Sequence, residues 1–125
     1  METKSDTVVT QLAALAQPTR LEVFRLLVQQ GRIGLAAGEI AAALAVPPAT
    51  LSFHLKELAH ARLVAARQDG RFVYYAANFD AMNTLLAFLT ENCCAAEGGA
   101  CAPGKVCAPA ARKSVRSTTA QKVTR

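Results

Sequence analysis

GEIAAALAVPPATLSFHLKEL, residues 38–58, decides the fold. Its first part is an alanine-rich helix over roughly 37–44, and Ala45-Val46-Pro47 reads as a tight turn. Pro48 then sits in the first turn of a helix running to Ala61, because a missing N–H costs nothing there. Leu51, Leu55 and Leu58 recur at i, i+4 and i+7 and commit one face of that helix to the core. Ala49, Thr50, Ser52, Phe53 and Lys56 are left to project elsewhere. Downstream the periodicity changes. Residues 63–67 and 72–76 are short β-prone runs separated by QDGR, and Asp69-Gly70 is the two-residue signal of a type I′ hairpin. Upstream, PTRLEVFRLLVQQ (18–30) forms a helix with Leu21, Phe24, Leu27 and Val28 as its buried stripe and Gly31 as its stop. Val8, Leu12 and Leu15 make a shorter amphipathic helix before it, ending near Gln17-Pro18. Asn78 is placed to cap a fifth helix that ends near Asn92.

Two short helices joined by a tight turn and followed at once by a hairpin make a mainly α fold with a small β-hairpin, a winged helix-turn-helix. The fourth helix is suited to a major groove, where Thr50 and Ser52 hydroxyls can bond base edges and Phe53 can touch a thymine methyl, and Lys56 is a further DNA-binding candidate on it. His54 lies beside the leucine stripe; it counts among the DNA-facing candidates and equally fits a packing role. Arg62 flanks the hairpin, and Arg67 and Arg71 stand on it and at its tip, where a wing meets phosphate or minor groove. Each of these side chains is ordinary by itself. Their arrangement carries the reading.

Charge is unevenly placed along the 125 residues. The first 101 hold eight basic and nine acidic side chains, whereas beyond Glu97 there are six basic residues and no acid. DNA binding therefore has to come from local clustering, helped by a basic tail whose Ala, Pro, Ser, Thr and Lys content is that of a disordered arm. No run of 18 apolar residues and no signal-peptide pattern is present, so a cytoplasmic protein without membrane contact is expected. All four cysteines, Cys93, Cys94, Cys101 and Cys107, fall within fifteen positions. In a reducing compartment that clustering points to a soft-ligand site rather than a disulfide framework.

Taken in order, PTRLEVFRLL, GEIAAALAVPPATLSFHLKEL and DGRFVYY resemble the ArsR/SmtB family of dimeric metal-sensing repressors, over roughly residues 8–94. The resemblance implies a homodimer on double-stranded operator DNA that an ion releases. Many arsenic-responsive members carry a Cys-x-Cys pair where Ala36 and Gly38 stand here, and zinc sensors place Asp, His and Glu ligands along the last helix, which here has no histidine. With both sites missing, Cys93, Cys94 and Cys101 become the expected sensor, similar to an arsenic-responsive branch whose inducer cysteines follow the last helix.

Zinc prefers four tetrahedral ligands at spacings such as Cys-x₂₋₄-Cys, and this spacing does not supply them. Three thiolates suit trigonal-pyramidal As(III) or Sb(III), with Gly98-Gly99 allowing Cys101 to fold back; no organic cofactor is expected. Phe79, Met82, Leu86 and Leu89 form one stripe of the last helix, and Leu85 with Phe88 a second. One face then packs on its own domain and the other on a second subunit. Val8, Leu12, Leu15, Met82, Leu85, Leu86 and Leu89 are the expected dimer contacts. The organisation expected is a DNA-binding and dimerisation domain over 1–92, an inducer segment over 93–107 and a basic tail over 108–125. A repressor of this fold that senses thiol oxidation is the nearest alternative. An enzyme such as an arsenate reductase is disfavoured, because there is no Cys-x-x-Cys and the only histidines, His54 and His60, lie on the fourth helix.

Overall fold

A computed structural model describes residues 3–97. Helix α1 (Lys4–Leu15) leads to α2 (Pro18–Gln30), the short strand β1 (Leu35–Ala36), α3 (Ala37–Leu44) and α4 (Pro48–His60). Strands β2 (Val64–Asp69) and β3 (Phe72–Ala77) and helix α5 (Phe79–Leu89) follow, with a single 3₁₀ turn at Ala95–Glu97. The chain divides into two units after Leu85.

Each boundary has a local cause. Thr3 and Asp6 close a capping box on α1, the Thr3 N–H donating to Asp6 Oδ2 at 3.1 Å and the Asp6 N–H to Thr3 Oγ1 at 3.1 Å. The Thr3 backbone N–H first, and the Thr3 side chain after it, hold the Asp6 carboxyl below its usual range. Gln17 caps α2, accepting from the Arg20 N–H at 2.8 Å. Gly31, at φ 75° and ψ −157°, ends that helix in a conformation that excludes a Cβ. Two further stops are invisible to composition because they use non-glycine residues in the left-handed region. Ala45 (φ 55°) closes α3, with the Val46 N–H returning to the Ala41 carbonyl at 3.0 Å. Arg62 (φ 66°) closes α4 the same way, the Leu63 N–H reaching the Leu58 carbonyl at 3.0 Å and the Arg62 N–H that of Ala59 at 2.9 Å.

The core of the first unit is assembled from Val23, Leu27, Ile40, Leu51, Leu55, Leu58 and Leu63, all essentially inaccessible to solvent. Each contributes about 1.5–3 kcal/mol by burial. On α2 the inward face is centred on Val23, Phe24 and Leu27, so Leu21, expected in the stripe, is turned to the flank and 42% exposed. Val23, four positions before Leu27 and so on the same face, takes the central place.

The sheet has three strands in the order β1-β3-β2, all antiparallel. The expected hairpin is β2–β3, in register from Val64 opposite Ala77 to Asp69 opposite Phe72. Its loop is therefore Gly70-Arg71, and of the two only Gly70 has a positive φ, at 65°. That is the pattern of a type II′ turn, which corrects the type I′ reading of Asp69-Gly70. Strand β1 was not expected. It pairs Leu35 with Tyr75 and Ala36 with Tyr74, and two residues are too few to leave a period in the sequence.

Asn78 joins the end of α4 to the start of α5. Its Oδ1 accepts from the Ala81 N–H at 3.1 Å, the N-cap bond expected of it, while its Nδ2 donates to the Arg62 carbonyl at 3.0 Å. In the second unit the Thr90 hydroxyl donates to the Leu86 carbonyl at 2.8 Å, and the chain turns out of α5 at Thr90, three residues before the first cysteine.

Candidate nucleic-acid interface and thiol pair

Helix α4 sorts its residues by face. Leu51, Leu55 and Leu58 go inward, and Thr50, Ser52, Phe53 and Lys56 all stand exposed, Phe53 to 56%. Proline supplies both the N-cap and N1 of this helix, so no side chain covers its first turn and the hydroxyls of Thr50 and Ser52 lie at an uncapped amino end. An anion or base edge approaching there meets unsatisfied backbone N–H groups.

His54 belongs on the other side. It is 7% exposed, its ring sits edge-on to Phe53 at 5.6 Å, and its Nδ1 is 3.4 Å from Arg20 Nη1. Of the two roles the sequence leaves open to it, this favours packing: three positions after Leu51 and four before Leu58, His54 lies on the inward face.

On the hairpin Arg67 is exposed, with its guanidinium carbon 5.1 Å from the centre of the Tyr74 ring on the paired strand. A cation held over a ring keeps its charge outward at low entropic cost. Arg71, in the loop, is exposed. Phe72 is a wing residue that sequence reading passed over; it is 59% exposed and 6.4 Å from Tyr74, and an exposed aromatic at a hairpin end was the available signal.

The residues expected at a subunit interface divide in two. Val8 and Leu85 are 5% and 6% exposed, buried within the chain itself, and Leu15 and Met82 are half-buried against its core. Leu12, Leu86 and Leu89 remain open at 42%, 39% and 55%, and Val9, unremarked in the sequence, is open at 63%.

Past α5, Asn92 and Cys94 both have φ 61°. The Cys93 N–H donates to the Thr90 carbonyl at 2.9 Å and the Ala95 N–H to that of Asn92 at 3.1 Å. This turn brings the two Sγ atoms to 3.5 Å from each other, with Cys93 half-buried and Cys94 exposed. Two thiolates bound at about 2.3 Å and at roughly right angles to one centre stand about 3.3 Å apart, so the pair suits a soft ion with little movement. Among the described residues no group of three His, Cys, Asp or Glu side chains converges on a metal site. Cys101 and Cys107 lie outside the described residues. No helix among those residues is long and apolar enough to cross a membrane.

Comparison with known proteins follows the fold. Residues 15–67 match the family described as Helix-turn-helix domain. The nodulation protein NolR of Rhizobium meliloti is 32% identical over 80 residues, which are 64% of this chain and 63% of NolR, so the chain spans under two thirds of that relative. A crystal structure described as a possible transcriptional regulator for arsenical resistance is 34% identical, with TM-score 0.55, over 63% of this chain and 79% of that one. The homodimeric winged helix-turn-helix domain of Mb0332 from Mycobacterium bovis, described as a possible ArsR-family regulator, is 29% identical, with TM-score 0.58, over 76% of this chain and 86% of that one.

Proposed function

This chain belongs to the ArsR/SmtB family of winged helix-turn-helix transcriptional regulators, and we propose that it is a repressor that holds operator DNA as a homodimer and releases it when As(III) or Sb(III) binds Cys93, Cys94 and Cys101. The observation that carries the inducer assignment is the 3.5 Å approach of two thiols just past the last helix. A thiophilic ion displaces their protons as it binds, so no pre-formed thiolate is required.

The exposed front of α4 supports groove reading by Thr50, Ser52 and Phe53, with Lys56, Arg67 and Arg71 on phosphate. Val9 and Leu12 on α1 and, in the second unit, Leu86 and Leu89 are exposed apolar side chains, and each pair supports cover by a second copy. Drawing Cys93 and Cys94 into a three-thiolate complex with Cys101 reshapes the end of α5. The two recognition helices then lose the separation of about 34 Å that successive major grooves require. A coupling of about 2.7 kcal/mol is enough to weaken the operator complex a hundredfold.

The thiol pair also supports a second reading, a repressor released by oxidation of the same cysteines. Arsenite that releases DNA in the presence of a non-thiol reductant separates the two.

Ser52→Ala and Phe53→Ala are expected to lower the ratio of operator to random-DNA affinity, by about 1–3 kcal/mol where a base contact is lost. Arg67→Ala and Arg71→Ala are expected to weaken both DNAs alike and to reduce the salt slope by about one per lost phosphate contact. Anisotropy titrations at several salt concentrations read both effects. Unchanged discrimination in Ser52→Ala and Phe53→Ala, in variants still folded and dimeric, contradicts groove reading by α4.

A further inference from the structure

A leucine stripe holds α4 to the core, and apolar contact is non-directional. It sets how deep the helix lies more firmly than how it is rotated about its axis. One polar contact adds direction. Arg20, in the first turn of α2, donates from Nε to the Ala14 carbonyl in the last turn of α1 at 2.7 Å and places Nη1 3.4 Å from His54 Nδ1. A guanidinium can only donate, so Nδ1 is the acceptor and the ring proton sits on Nε2. His54 is buried, and its ring lies edge-on to that of exposed Phe53.

We propose that Arg20 and His54 are a positioning pair that fixes the rotation of α4, and with it the direction in which Ser52 and Phe53 meet the groove. This rests on the reading of α4 as the helix that enters DNA. Because the other hand of Arg20 holds the end of α1, the pair also ties the recognition helix to a helix assigned to the subunit interface. Movement of α1 on inducer binding then reaches α4 through one side chain.

The test uses the full chain and a duplex enriched by the wild-type protein from random-sequence DNA. His54→Leu fills the space without an acceptor and is expected to lower the ratio of enriched-duplex to random-DNA affinity about tenfold. His54→Asn, whose Oδ1 takes the place of Nδ1, is expected to restore the ratio. Arg20→Met is expected to lose discrimination too, and the double variant Arg20→Met/His54→Leu to be no worse than the poorer single one, the signature of groups acting as a unit. Without DNA, imidazole ¹⁵N shifts of His54 are expected to show the Nε2–H tautomer in the wild type and a change in Arg20→Met. Wild-type discrimination that survives His54→Leu, additive losses in the double variant, or an Nδ1–H tautomer each overturn the proposal. A wild type that enriches no duplex overturns groove reading instead, while the ¹⁵N shifts still decide whether the contact exists.

Discussion

Gly34→Ala is expected to destabilise the protein by more than about 3 kcal/mol, the largest effect of alanine at any of the described glycines. Gly34 has φ 74°, a conformation that costs an alanine about 1–3 kcal/mol by itself. It also lies directly against β3: a Cβ built there collides with the Tyr75 carbonyl oxygen, 2.8 Å from the carbonyl carbon and 3.1 Å from Ala76 Cα. All three are backbone atoms of the central strand and cannot swing aside as a side chain would. Relief requires β1 to lift off β3, undoing the pairs of Leu35 with Tyr75 and Ala36 with Tyr74 and loosening the inner support of the wing. Thermal unfolding reads this as a fall in Tm of at least about 12 °C for a domain of this size. Gly38→Ala is the matched control. Nothing lies within 4 Å of its Cβ, its φ is not positive and it is in a helix, so a gain of up to about 1 kcal/mol is expected. Equal, small effects at both glycines contradict the seating of β1.

Cys93→Ser, Cys94→Ser and Cys101→Ser are each expected to bind operator as the wild type does and to remain bound when arsenite is added. A hydroxyl is a hard, weakly acidic ligand, and replacing one of three thiolates removes the affinity of the site for a soft ion. The loss is that of the whole regulatory coupling, about 2.7 kcal/mol for a hundredfold response. Cys107→Ser is expected to respond as the wild type. Induction lost in Cys107→Ser alone contradicts the three-thiolate assignment. A Cys101→Ser protein that still responds to a monomethylated arsenical identifies an inducer that needs only the 3.5 Å pair.

Punctuation made the helices legible. Pro18, Gly31 and Pro48 stand at boundaries of α2 and α4 because proline and glycine act on the backbone at their own position, and the leucine spacing of α4 gave its inner face directly. Ala45 and Arg62 stop α3 and α4 in left-handed conformations that tertiary packing imposes on residues with no preference for them. Strand β1 exists only through its pairing with β3, so no local signal announces it. The turn at Gly70-Arg71 differs from the expected one by a single position of register, which cross-strand pairing sets and the dipeptide Asp69-Gly70 does not. His54 shows the same limit in the site. Its face was ambiguous by helical angle, and the deciding contact is with Arg20, 34 residues away in the chain. The cysteines were conspicuous from composition alone, but their 3.5 Å approach depends on the left-handed turn at Asn92 and Cys94.

The central claim is that one chain couples a thiol site to DNA release. Fluorescence anisotropy of a labelled operator duplex, titrated with the wild-type protein in a non-thiol reductant with and without arsenite, tests it most directly. A dissociation constant raised about a hundredfold by arsenite, at one bound arsenic per chain, is the predicted result. An unchanged constant with arsenic bound at that stoichiometry contradicts the account.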